Sequence, residues 1–184
     1  GQIQEIGFTM YTELLERAVR ALRAGKEPAL LEPLRHGVEV DLRIPALLPE
    51  DYLPDVHARL VLYKRIAGAA DSEALRDLQI EMIARFGLLP PPAKNLFRLA
   101  EIRLKAQALG LTKVEAGPQG GVLVFSEQPA VDPMRVIKLI QQRPTVYKLE
   151  GQQRLRFKQT LEDAELRIKT VEELIDSLLD RPAA

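Results

Sequence analysis

The chain of 184 residues has no cysteine. That excludes a disulfide framework, a thiolate zinc site and a cysteine nucleophile, and it fits a reducing compartment such as the cytoplasm. Histidine is nearly as scarce: His36 and His57 are the only two, and neither stands at ligand spacing from a carboxylate or from the other. Serine occurs only at Ser72, Ser126 and Ser177, never in the Gly-x-Ser-x-Gly setting of a nucleophile elbow. No phosphate loop and no Gly-x-Gly-x-x-Gly fingerprint is present. Net charge is also missing, since 26 Lys+Arg balance 26 Asp+Glu. A general nucleic-acid binder would carry a basic excess to displace counterions from phosphates. No apolar run approaches the roughly 20 residues that span a bilayer, so no membrane contact is expected. The opening Gly1-Gln2-Ile3-Gln4 has neither an initiator Met nor the charged-then-apolar pattern of a signal peptide, and reads as the start of an excised segment. These absences leave no catalytic constellation, no metal site and no cofactor site. The expectation is a non-catalytic piece of a larger intracellular protein that works by protein contacts.

A hydrophobic fraction of 46% is enough for a packed core. Phe8, Tyr11, Leu15, Val19 and Leu22 fall at helical spacing, with Glu13–Arg17 and Glu16–Arg20 as i,i+4 pairs and Gly25 as a stop. A looser polar stretch follows, so residues 1–37 read as a helical arm or connector and residues 38–184 as the compact domain. That domain starts with Val38, Val40, Leu42 and Ile44 alternating with Glu39, Asp41 and Arg43, the pattern of a half-buried strand. Prolines at 45, 49 and 54 then forbid a helix and should pin Leu47, Leu48, Tyr52 and Leu53 against the body.

Helices follow. Asp55 can cap one that buries Val56, Leu60, Tyr63 and Ile66. Asp71 or Ser72 can cap a second with Leu75, Leu78, Met82 and Phe86 on one stripe and Gly87 as its stop. Pro90-Pro91-Pro92 precedes a third, from about Ala93 to Leu109. The last third predicts two β-hairpins: Leu111–Ala116 with Val122–Phe125, and Thr145–Leu149 with Arg154–Lys158. Each is followed by a helix, from Asp132-Pro133 to about Gln142 and from about Leu161 to Leu179. The predicted fold class is α+β, a helical half followed by an antiparallel sheet.

Two charge patterns stand out. Glu73, Asp77 and Glu81 recur at i, i+4, i+8 along the second helix, as either a solvated face or an acidic docking stripe for a partner's arginines. Arg154, Arg156 and Lys158 alternate with Leu155 and Phe157 along the last strand, as an exposed sheet face, a charged edge guarding against aggregation, or a small phosphate contact.

The run Ile44-Pro45-Ala46-Leu47-Leu48-Pro49-Glu50-Asp51-Tyr52-Leu53-Pro54-Asp55, with Arg59-Leu60, Tyr63-Lys64-Arg65 and Arg85-Phe86-Gly87-Leu88-Leu89-Pro90, resembles the carboxy-terminal domain of the bacterial transcription-repair coupling factors. The Gly120-Gly121 hairpin and the Arg154-Leu155-Arg156-Phe157 strand fit the same pattern, so the likeness covers nearly the whole chain. The opening Gly1–Phe8 looks like the tail of the translocation motif that this family shares with RecG-type helicases. The resemblance implies a parent that is an ATP-dependent DNA translocase, removes stalled RNA polymerase and recruits nucleotide excision repair. It implies that this domain has no share in ATP hydrolysis. It further implies autoinhibition, by packing on an amino-terminal module similar to the UvrB repair protein and covering the surface that recruits UvrA. Glu81 matches one family interface carboxylate; a second such position falls on Ala84, with Asp77 one turn before Glu81. An accessory nucleic-acid role through Arg154, Arg156 and Lys158 is the alternative.

Overall fold

A computed structural model describes residues 37–179; the expected arm, residues 1–37, lies outside them but for Gly37. The chain forms two compact units, a helical one over residues 44–104 and a sheet one made of residues 37–43 and 105–179.

The helical unit begins with the proline-punctuated segment. Its backbone is held from three sides: Asn95 donates to the Pro45 carbonyl (2.9 Å), Leu47 N–H to the Pro92 carbonyl (3.1 Å), and Leu48 N–H to the Tyr63 hydroxyl (2.7 Å). Ala46, Leu48 and Leu53 are thereby buried. Helix α1 (Val56–Ala67) starts where the Asp55 carboxylate accepts from His57 N–H. It buries Tyr63 and Ile66 as expected, with Leu62 in place of the half-buried Leu60, and leaves Val56 58% exposed. Val56 is the first helical residue, with no preceding turn to pack beside it. Helix α2 (Ser72–Phe86), capped by Asp71, buries Leu75, Leu78 and Met82 as their spacing predicts, and Gly87 ends it at φ +94°. Helix α3 (Pro91–Ala108) takes Pro91 and Pro92 into its first turn, where a missing N–H costs nothing. Ala93, Leu96, Phe97 and Ala100 of α3 close the core over α1, α2 and the proline segment.

In the sheet unit the strands β1 (Glu39–Asp41), β2 (Leu111–Gly117), β3 (Gly120–Phe125), β4 (Tyr147–Glu150) and β5 (Arg154–Lys158) lie in the order β1-β2-β3-β5-β4. The four later strands are antiparallel, as expected, but β1 adds parallel to β2, with Val40 opposite Val114, so the sheet is mixed. A parallel neighbour needs a crossover of a dozen or more residues, and the helical unit supplies it. β1 is also shorter than its alternation implies. The Asp41 carboxylate accepts from Arg43 N–H (3.1 Å) and Arg43 sits at φ +53°, which turns the chain out of the ladder.

Helices α4 (Pro133–Gln142, capped by Asp132) and α5 (Ala164–Leu178, capped by Asp163) complete the unit. Buried Ile168, Val171, Leu174, Ile175 and Leu178 line the inner side of α5, while Val114, Ala116, Leu123, Leu155 and Phe157 line one sheet face. α5 starts later than its apolar pattern predicts because Leu161 is a buried plug ahead of it, its N–H donating to the Pro118 carbonyl at 2.7 Å.

Candidate interaction surface

Met82 points into the core and Ile80 lies on the opposite side of α2. At about 100° per residue the outward arc of α2 runs through Ile83, Ile80, Glu73, Ala84 and Asp77, with Glu81 on the flank toward α1. Ile80 is 59% exposed and Ile83 39%, and Leu88, just past the helix end, is 85% exposed. Two exposed isoleucines on one helix face are unusual where solvent is the only neighbour, and such apolar patches mark contact sites. A signal for them exists in the sequence: Leu75, Leu78, Met82 and Phe86 already fill the core stripe, so Ile80 and Ile83 are left over.

The three expected carboxylates have different surroundings. Glu73 and Asp77 are exposed, and among the described residues neither has an ion pair or hydrogen bond. Glu81 lies about 80° round the helix from Glu73. Both its oxygens are taken by Arg65 of α1, at 2.5 Å and 3.3 Å, and Arg85 approaches to 3.7 Å. The Arg65 hydrogen bond, helped by the positive fields of Arg65 and Arg85, holds the Glu81 carboxyl below its ordinary range. Arg65 is in turn raised by the same bond. Arg85 also lies 4.8 Å over the Phe86 ring, which meets Tyr52 edge-on. The acidic row is thus split, among the described residues, into two carboxylates without a partner and one engaged by Arg65.

The basic row is exposed on the outer sheet face, while Leu155 and Phe157 between its members are buried. It is on an inner strand, since β4 and not β5 forms the edge. Register sets Arg156 across from Val122 and Lys148, and Arg154 across from Val124 and Glu150. Arg156 donates to Glu150 at 2.6 Å, and Lys113 pairs with Glu115 at 3.0 Å on the same face. The Arg156 bond holds Glu150 below its ordinary range, and Lys113 does so for Glu115, with Arg154 adding its field to both. Lys158 lies beyond these pairs at the strand end, opposite Gly120. The face is a lattice of alternating sign, whereas a backbone-tracking groove is a field of one sign.

The family model described as the TRCF domain matches residues 42–136, which include Glu73, Asp77 and Glu81 and stop short of the basic strand. The chain belongs to the transcription-repair coupling factor family. Over 184 residues, all of this chain, it is 45% identical to the transcription-repair-coupling factor of Escherichia coli, and over 178 residues (97% of this chain) 44% identical to that of Haemophilus influenzae. It spans only 16% of the length of each. A solved C-terminal domain of a transcription-repair coupling factor has the same fold, with a TM-score of 0.65 at 21% identity, covering 77% of this chain and 91% of that one. The chain is therefore a domain of a transcription-repair coupling factor with an α+β fold. It carries none of the phosphate-binding motifs of an ATPase. None of its described helices is long and apolar enough to cross a membrane.

Proposed function

We propose that this chain is the carboxy-terminal autoinhibitory domain of its factor, with residues 1–37 as a connector and residues 38–184 as the regulatory body. Its α2 face docks on a UvrB-like amino-terminal module of the same cytoplasmic protein and hides the surface that recruits UvrA. The parent is an ATP-dependent DNA translocase that displaces stalled RNA polymerase; this domain gates recruitment and takes no part in the chemistry. The observation that carries the reading is the outward arc of α2, where exposed Ile80 and Ile83 adjoin Glu73 and Asp77, carboxylates without a partner among the described residues. Apolar anchors with a polar surround are the composition of a protein contact.

Magnitudes assign the parts. A clasp closed about 99% of the time needs roughly 2.7 kcal/mol of bias. Exposed ion pairs supply about 0–1 kcal/mol each, so charges alone cannot hold it. Burying aliphatic surface contributes about 25 cal/mol per Å², and the isoleucines provide that surface. The carboxylates then steer the approach and select a basic partner. The accessory nucleic-acid reading has less support, because Glu150 and Glu115 neutralise much of the field of the basic row.

The test is a full-length factor carrying Glu73→Lys, Asp77→Lys and Ile80→Ser together. UvrA binding at rest should rise about tenfold, the sum of one lost apolar anchor and two reversed charges. Should it stay at the resting level while deletion of residues 38–184 raises it, the inhibitory surface lies elsewhere on the domain.

A further inference from the structure

We infer that Arg65 is a built-in competitor for the docking face: it holds Glu81 while the domain is undocked and must release it when a partner's guanidinium or ammonium arrives. The inference rests on the docking reading above. Its basis is the geometry of one corner of the helical unit. Arg65 reaches from α1 and Glu81 from α2, sixteen positions apart in sequence, and Nη1 and Nη2 of one fork meet Oε2 and Oε1 of one carboxylate at 2.5 Å and 3.3 Å. Such two-point pairing is the strongest arrangement an arginine and a carboxylate can adopt. Arg85 stands at 3.7 Å on the same carboxylate, so this corner has two cations around one anion. Its net sign is positive.

A turn or two along the same helix, Glu73 and Asp77 have no partner among the described residues. The outward arc of α2 is therefore electrically uneven, with free carboxylates near Ile80 and a positive corner beyond Asp77. An incoming cation is drawn to Glu73 and Asp77 and meets repulsion at Glu81 for as long as Arg65 stays. The side chains of Arg65 and Glu81 are 45% and 40% exposed, so either can swing into solvent. Exposed side chains change rotamer in picoseconds to nanoseconds, and exchange adds no slow step.

The pairing that belongs to the undocked domain favours the undocked domain. Loss of Arg65 removes that bias, whereas loss of Glu81 removes a partner in both states and nearly cancels. A docking face without competition predicts the opposite pattern: Glu81→Gln weakens the clasp and Arg65→Gln leaves it alone. A merely structural ion pair predicts a lower melting temperature for both and no change in docking.

The experiment titrates UvrA onto the full-length factor bearing Arg65→Gln, Arg65→Lys or Glu81→Gln, at low and high salt. Apparent affinity for UvrA falls with the open fraction. Arg65→Gln should weaken UvrA binding about two- to fivefold at low salt, the range of one exposed pair. Arg65→Lys, which keeps the charge and loses the fork, should fall between Arg65→Gln and the natural protein. Glu81→Gln should stay within about twofold, and the differences should shrink at high salt. UvrA affinity for Arg65→Gln equal to or above that of the natural protein overturns the competitor role. If, in addition, deleting residues 38–184 leaves UvrA affinity unchanged, the docking reading falls with it; if the deletion raises affinity, only the competitor role is lost.

Discussion

Replacing Gly121 by alanine should cost the sheet unit about 3–5 kcal/mol and lower its melting temperature by roughly 10 °C or more. Gly121 lies opposite both Ala116 of β2 and Phe157 of β5. A Cβ there would strike the Glu115 carbonyl oxygen, come within 2.7 Å of the Phe157 ring edge and within 2.8 Å of the Ala116 Cα. Two of those obstacles are backbone in the centre of the sheet. The third is a core aromatic that is 1% exposed. None can yield without shifting strands. Gly151 supplies the control: it sits at φ +68° in the β4–β5 turn with nothing within 4 Å of a Cβ, so Gly151→Ala carries only the left-handed penalty of about 1–2 kcal/mol. Urea titration followed by circular dichroism separates the two. Equal midpoints for the two variants would mean that the close approach at Gly121 is not what the sheet depends on.

The second large effect is expected at Arg167, which is 4% exposed on α5. Its guanidinium donates to four carbonyls, Leu161 (3.0 Å), Leu42 (3.1 Å), Arg43 (3.0 Å) and Glu162 (3.2 Å). Burial pushes its pKa down, with the nearby charge of Arg43 acting the same way. The residue therefore carries a desolvation cost that the hydrogen bonds offset. The Leu42 and Arg43 carbonyls belong to the segment where the chain leaves the three-residue β1. Arg167→Met removes the charge and its cost but orphans these acceptors. A net loss of about 2–4 kcal/mol follows, because unpaired buried polar groups cost about 1–3 kcal/mol each. Arg167→Lys should not restore it, since an ammonium cannot reproduce the planar fork. Hydrogen exchange at Val40 and Leu42 should report the loss first. Unchanged protection there in Arg167→Met would show that the sheet holds β1 unaided.

These two residues also mark the limit of what sequence reveals. Local chemistry was legible: Asp55, Asp71 and Asp132 cap the helices they precede, and both hairpins fall where turn residues separate β-prone runs. Pairing across long stretches of chain was not. The alternation from Val38 to Ile44 marks a strand, but nothing local says that it joins β2 in parallel after the whole helical unit has intervened. Arg167 grips carbonyls about 125 positions away, and carbonyls have no sequence signature. At the candidate site, spacing located Glu73, Asp77 and Glu81 on α2 and left their surroundings open. Glu81 meets Arg65 only because α1 and α2 pack side by side, and the leftover isoleucines become visible once the core stripe is subtracted.

On the proposed reading this domain and UvrA compete for one module, and calorimetry addresses that competition directly. This chain would be titrated into the isolated UvrB-like module, free or presaturated with UvrA. Closure about 99% of the time, at an effective tethered concentration of about 1 mM, corresponds to a Kd near 10 μM once the tether is removed. Competition predicts saturable 1:1 binding of about that strength with a negative heat-capacity change, abolished when UvrA already occupies the module. Absence of binding at several hundred micromolar, or binding undiminished by saturating UvrA, would contradict it.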